Sequence, residues 1–534
     1  MHPAVRALTL AATLALVIGA CAPGSGPSGG GTPATATPAA AEKPTYGGTV
    51  TFALENDVIN FDPMLSRAFV DRNVHYQIYD SLVRIGASGK IIPWLAEKWE
   101  FSDGDKTVSF ALRKDVKYHD GTPFDAESVK WNIDRYRTTK GSARSGELAP
   151  VELVEVVDPQ TVRFKLKAPF SAFLATLVDR AGMMVSRKAV EAGGEDFTRK
   201  AFRAGSGPFI LTEAVKDDRM ILERNPNWWG TDKDGNKLPF LDKVIVRPIT
   251  DADVRLTNVR TGNAHVINSV AFKDIAALKS EAELVYQEAP GVDFFRSLIP
   301  NRAPGFTFNE GRYVKAVAMA IDRKEILDKV YFGVGTVGYG TIAPPHFAYD
   351  ASFKPYERPD LEGAKRLVRE VGKGPLRFEM LVRAGDAQEL QLAQLIQAQL
   401  ARAEISVDLK QIQFAEILKL QDEKKFPGMT LVGWSGRIDP DGNTYDHIYT
   451  KRPFNDSSYT NKEVDRLLDE QRATTDEAKR RAALRAAEQI YVVDDPARVW
   501  FRFGASHLLS VKKLNGLEPY PDQMIRFQFG WLKK

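Results

Sequence analysis

The sequence predicts an α/β protein with more than one domain. Its 534 residues are too many for one simple core, so two or three domains are expected. Segments of period-two alternation interleave with segments of helical period along most of the chain, the pattern of layered helices and strands. Its 43% hydrophobic and 27% charged residues are those of an ordinary folded chain.

The elements follow in order. "GGTVTFAL" alternates Val50, Phe52 and Leu54 against Thr and Ala, which predicts a strand. "FVDRNVHYQIYDSLVRI" sets Val70, Val74, Ile78 and Leu82 near helical spacing and predicts one helix across the whole run. "TVSFAL" and "TVRFKL" are further strands, and "AESVKWNIDRYR" is an amphipathic helix. "RYVKAVAMAIDRKEILDKVY" predicts one long helix, and so does "AQELQLAQLIQAQLARA", which leads into the strand "ISVDLK". The glycine-rich "FGVGTVGYG" at 332–340 lacks phosphate-loop spacing.

Several function classes are disfavoured. A formal charge of +4, from 73 basic and 69 acidic residues, gives no nucleic-acid footprint. The seven histidines are scattered and none forms a zinc-protease pair, so no metal site is expected. Two Asp-Gly runs could suggest calcium loops. Counted from Asp439, however, positions six and twelve are Thr444 and Thr450, and counted from Asp232 position six is Lys237. "GWSGR" is no nucleophile elbow, because Arg437 stands where the final glycine belongs. No catalytic residue and no cofactor are expected.

The N-terminus predicts export. Arg6 precedes a 14-residue apolar run, shorter than a membrane span, that ends at "VIGAC". This resembles the lipobox of bacterial lipoproteins, which implies a signal peptide over 1–20 and lipidation of Cys21. Cys21 is the only cysteine, so no internal disulfide can form. Residues 22–45 contain no aromatic, Leu, Ile or Val and cannot build a core. As a flexible coil of about 24 residues they would span roughly 27 Å, and residues 21–45 are expected to act as a lipid-anchored tether.

Beyond Tyr46 the phrases "GGTVTFALENDVINFDP", "PWLAEKWEFSDGDKTVSFALRKDVKYHDGTPFDAESVKW", "GSGPFILTEAVKDDRMILERNPNWW", "YVKAVAMAIDRKEIL" and "GWSGRIDPDGN" closely resemble the extracytoplasmic solute-binding proteins of family 5, the peptide, nickel and opine group. The resemblance covers residues 46–534. It implies a type II periplasmic-binding-protein fold with two lobes around a cleft and an inserted subdomain. Lobe I would comprise 46–90, 205–285 and 505–534, the subdomain 91–204, and lobe II 286–504. The implied function is capture of peptides or peptide-like solutes for an ABC permease and its ATPase, outside the cytoplasm, by a monomer. Another solute (an opine, sugar or small acid) or a sensor role remains open.

Most signature residues read as structural. Asp120-Gly121 is a turn, Trp94 and Trp99 are core anchors, and "NPNWW" is a turn with aromatics packed under it. The resemblance places the ligand elsewhere. In peptide-binding relatives a G-W-[ST]-x-D segment lines the cleft and its aspartate holds the peptide amine. Here Trp434, Ser435 and Asp439 fit that pattern, but Arg437 occupies the amine-anchoring place. A cleft arginine favours a carboxylate partner, unless Arg437 pairs internally with Asp439 or Asp441. Asp439 could then take the amine. Arg383, at the end of "LRFEMLV", corresponds to a carboxylate-holding arginine of dipeptide-binding relatives, with an exposed strand-end arginine as the alternative. Ser66 and Phe69, in the loop "SRAF", are expected ligand contacts from lobe I.

Overall fold

The computed structural model describes residues 43–434, 436–452 and 454–534, without the side chains of 292–295 and 415. The expected signal peptide, Cys21, most of the tether, and Ser435 lie outside the described residues.

Two long strands organise the molecule. Leu284–Pro300 and Val499–Val511 run antiparallel, paired from Leu284↔Val511 to Leu298↔Val499, with the register broken between Pro290 and Phe295. They sit mid-way in a mixed eleven-stranded sheet. On one side Val266–Ile267, Thr49–Leu54, Lys243–Pro248, Arg219–Arg224 and Phe209–Val215 continue the sheet into lobe I. On the other, Met429–Trp434, Arg377–Arg383 and Ser406–Ile412 continue it into lobe II. Each lobe has its own core, one around Phe52, Val244 and Phe209, the other around Val317, Ile396 and Trp500. The two long strands are therefore the covalent crossings on which one lobe can swing against the other.

A separate four-stranded antiparallel sheet, of Ala96–Ser102, Thr107–Leu112, Thr161–Leu166 and Val151–Asp158, forms the inserted subdomain. Helix Ala126–Thr138 covers it and begins with a reciprocal cap between Asp125 and Ser128. The subdomain core also recruits Met64, Leu82, Val83 and Ile85 from the preceding chain.

Two expected helices are shorter than their periodicity predicts. The first spans Phe69–Ile78 and stops, and Val83–Ile85 is a strand instead. The backbone turns extended at Tyr79, and the next residue, Asp80, accepts the indole N–H groups of Trp94, Trp228 and Trp229 at 2.7, 3.1 and 3.2 Å. The second breaks into Gly311–Ala320 and Arg323–Tyr331, because the Asp322 carboxylate caps the new helix by accepting from the Glu325 backbone N–H. The adjoining Arg323 guanidinium is buried and donates to the carbonyls of Ala318, Ile321 and Trp500.

Candidate functional site

A cleft of about 1920 Å³ lies between the lobes, its floor formed by the two crossing strands. Lobe I contributes Phe61, Phe69, Met220 and Asn268, and lobe II contributes Tyr331, Arg383, Gln388 and Phe414. The crossing strands supply Arg296, Arg502, Ala505 and His507. Drug-sized pockets occupy about 300–1,000 Å³, so this cleft has room for a ligand of several residues with water.

Arg383 ends its strand in this cleft. Its backbone N–H donates to Glu389 Oε1 at 2.8 Å, its side chain reaches Glu389 Oε2 at 3.3 Å, and its guanidinium lies 4.4 Å from the Phe414 ring centre. Glu389 is buried and also holds Arg296 at 3.4 Å, so one carboxylate serves two cleft arginines. Arg502 is set differently. It is 3% exposed, its Nε donates to the Val334 carbonyl at 3.1 Å, and its guanidinium packs 4.1 Å from the Tyr331 ring centre and 4.9 Å from that of Phe272. Burial pulls its pKa down to about 10, which leaves it charged at neutral pH. Gly335, at φ +91°, permits this placement, because a Cβ there would stand 3.1 Å from Arg502 Nε and 2.4 Å from the Phe503 carbonyl oxygen. His507 Nδ1 meets the Tyr286 hydroxyl at 2.8 Å, and burial lowers its pKa to about 4, so it is a neutral cleft group.

The 431–449 stretch occupies a different place. Trp434 ends its strand, packs against His447 and Phe454 at 4.3 and 5.1 Å between ring centres, and donates from its indole to Asn443. Arg437 stacks over Trp434, 4.7 Å from the ring centre, and its nearest carboxylate is Glu147 of the subdomain, at 3.7 Å. It makes no ion pair with Asp439 or Asp441. The Asp439 carboxylate caps helix Pro440–Ile448 and takes both ends of Arg480, at 2.9 and 2.6 Å. Asp441 is held by Arg472 and Gln471. Ser66 is fully buried. It donates to Asp71 at 2.7 Å, and its carbonyl accepts from Arg144, which also pairs with Glu147 at 2.7 Å. Ser66 and Arg437 are thus linked through Arg144 and Glu147, in a seam where the subdomain meets lobe II. Ser171 and Phe170 extend this seam onto Gln471 and Arg472.

Of the residues expected from sequence, Phe69 and Arg383 line the large cleft, while Ser66, Trp434, Arg437 and Asp439 stand along or behind the seam. Sequence reasoning missed Arg296, Arg502, Tyr331 and Phe272. One signal was available for Arg502: it interrupts the apolar strand run "VWFRF". Among the described residues no cluster of His, Cys, Asp or Glu could hold a metal ion. No helix among them is long and apolar enough to cross a membrane.

Residues 90–456 match the family described as bacterial extracellular solute-binding proteins, family 5 middle. The chain belongs to this family. Among curated family 5 relatives, the glutathione-binding protein GsiB of Escherichia coli (strain K12) is 25% identical over 493 residues, spanning 90% of this chain and 93% of the relative. Among solved structures, the periplasmic binding protein DppA from Helicobacter pylori, in complex with peptide STSA, aligns with TM-score 0.79 and 24% identity over 92% of this chain and 99% of that one. AgaA of A. tumefaciens R10, in complex with agropinic acid, aligns with TM-score 0.79 and 24% identity over 91% and 99%. These likenesses show the type II periplasmic-binding-protein fold. As a family 5 protein the chain is a solute-binding component of transport, and the interlobe cleft is the feature that suits it to that task.

Proposed function

We propose that this protein captures peptides or peptide-like solutes in the 1920 Å³ cleft and delivers them to an ABC permease and its ATPase. The observation that carries this reading is the cleft itself, spanned beneath by two crossing strands and walled by both lobes. Hinging on those strands would enclose the ligand and give the permease a closed form to recognise. Aromatic walls and backbone-sized space suit a peptide chain better than a small rigid solute. Agropinic acid in AgaA and a peptide in DppA show that this fold accepts both opine-like and peptide ligands. The protein acts as an extracytoplasmic monomer, held at the membrane by lipid on Cys21.

Two measurements test this. Native mass spectrometry of protein taken from its source should show a co-purified mass that a peptide composition can match. A sugar or metal adduct in its place would overturn the peptide reading. For the anchor, radiolabelled palmitate should enter the wild-type chain and be lost in Cys21→Ser, with the variant released to the soluble fraction. Equal labelling of both would rule out lipidation at that residue.

A further inference from the structure

Seven lysine and arginine side chains line the cleft against three carboxylates, those of Glu55, Asp57 and Asp217. Most of this charge is already answered. Arg296 and Arg383 share Glu389, Lys273 pairs with Asp253 and Asp274, and Lys216 with Asp217. Asp57 is occupied in turn by the backbone N–H groups of Val58 and Asp217. Burial raises the pKa of Glu55, with the nearby Arg255 charge opposing that rise.

Arg502 is the exception that matters, because it is both buried and without a carboxylate within 4 Å among the described residues. A buried charge without a close counter-charge is strongly disfavoured. Aromatic faces at 4.1 and 4.9 Å offset part of that cost without neutralising it. The planar fork suits a carboxylate. The residue also sits on a crossing strand, where an arriving anion is reached by both lobes at once.

We infer that the ligand of this cleft is an acid, and that one of its carboxylates seats on Arg502 between Tyr331 and Phe272. This rests on the cleft's being the ligand site. Closure over such a ligand supplies at close range the carboxylate that Arg502 lacks among the described residues, where Glu288 acts on it only from beyond 4 Å, so acid binding and lobe closure reinforce each other.

Calorimetry with tri-alanine and its C-terminal amide tests the assignment on wild type, Arg502→Gln and Arg502→Lys. Wild type should prefer the acid at least ten-fold, Arg502→Gln should bind acid and amide alike, and Arg502→Lys should keep part of the preference. Equal binding by wild type, or an undiminished acid preference in Arg502→Gln, overturns the inference. Should Arg502→Gln fail to fold, Arg502→Lys decides: an acid-over-amide preference at least three-fold weaker than that of wild type upholds the seat, and an unchanged preference overturns the inference. If neither peptide binds, succinate and glutarate are the second probes. A thermal shift with them in wild type that Arg502→Gln lacks upholds the acid seat while the peptide reading fails. No shift overturns both.

Discussion

Replacing Asp80 by alanine is expected to destabilise the protein by about 3–5 kcal/mol, read as a fall in urea midpoint with unchanged slope. The carboxylate is fully buried and accepts from three indoles and from Ser206 Oγ at 3.2 Å, with Arg84 3.6 Å away. Alanine would leave those donors facing a void, each unsatisfied donor costing about 1–3 kcal/mol. It would also strand Arg84, whose guanidinium is held between the rings of Tyr76 and Trp94 at 4.9 and 4.7 Å. Asp80→Asn keeps the shape but turns an amide N–H₂ toward N–H donors, so a smaller loss of about 1–3 kcal/mol is expected. Equal stability of wild type and Asp80→Ala would show that the tryptophan cluster holds together by packing alone.

Glu488→Gln is expected to stabilise the protein at alkaline pH. Glu488 lies in helix Glu477–Gln489 and is 5% exposed, against Gly340, where a Cβ would come within 2.1 Å of its Oε1. Burial raises its pKa from 4.5 to about 8. Below pH 4.5 the carboxyl is protonated in both folded and unfolded chains, and its contribution is fully present. Between 4.5 and 8 the unfolded chain releases the proton and the folded chain keeps it, so stability falls by up to about 1.4 kcal/mol per pH unit. Above about 8 both forms are ionised and the loss is complete. Glutamine does not titrate. Urea titrations at pH 5, 6.5 and 8 should therefore show wild type losing stability relative to the variant, by on the order of 2–5 kcal/mol at pH 8. Parallel pH curves would mean that Glu488 is already ionised in the fold.

Much of the architecture was legible in the chain because alternation is a local record of which face is buried. Val50, Phe52 and Leu54 lie in a strand, and the "AQELQLAQLIQAQLARA" run is a helix spanning Ala387–Arg402. The places where periodicity misled are those where a polar side chain takes a partner that the apolar pattern does not register, indoles far along the chain for Asp80 and the Glu325 backbone N–H for Asp322. Helical spacing through Leu82 did not reveal that Asp80 would meet three indoles, nor did the apolar run through Ile321 reveal that Asp322 would start a second helix.

The candidate site divides the same way. The sequence by itself determined the family 5 body, the strand that ends at Trp434, the arginine at a strand end in Arg383, and the departure at Arg437. Tertiary structure alone decided which cations face the cleft. Arg437 stacks on Trp434 and meets Glu147 from the inserted subdomain, Asp439 is taken by Arg480, and Arg502 is left in the cleft between two rings. The physical reason is that a charge's role depends on its counter-charge and its burial. Both are supplied by chain segments far away in sequence, brought together only when the lobes and the subdomain pack.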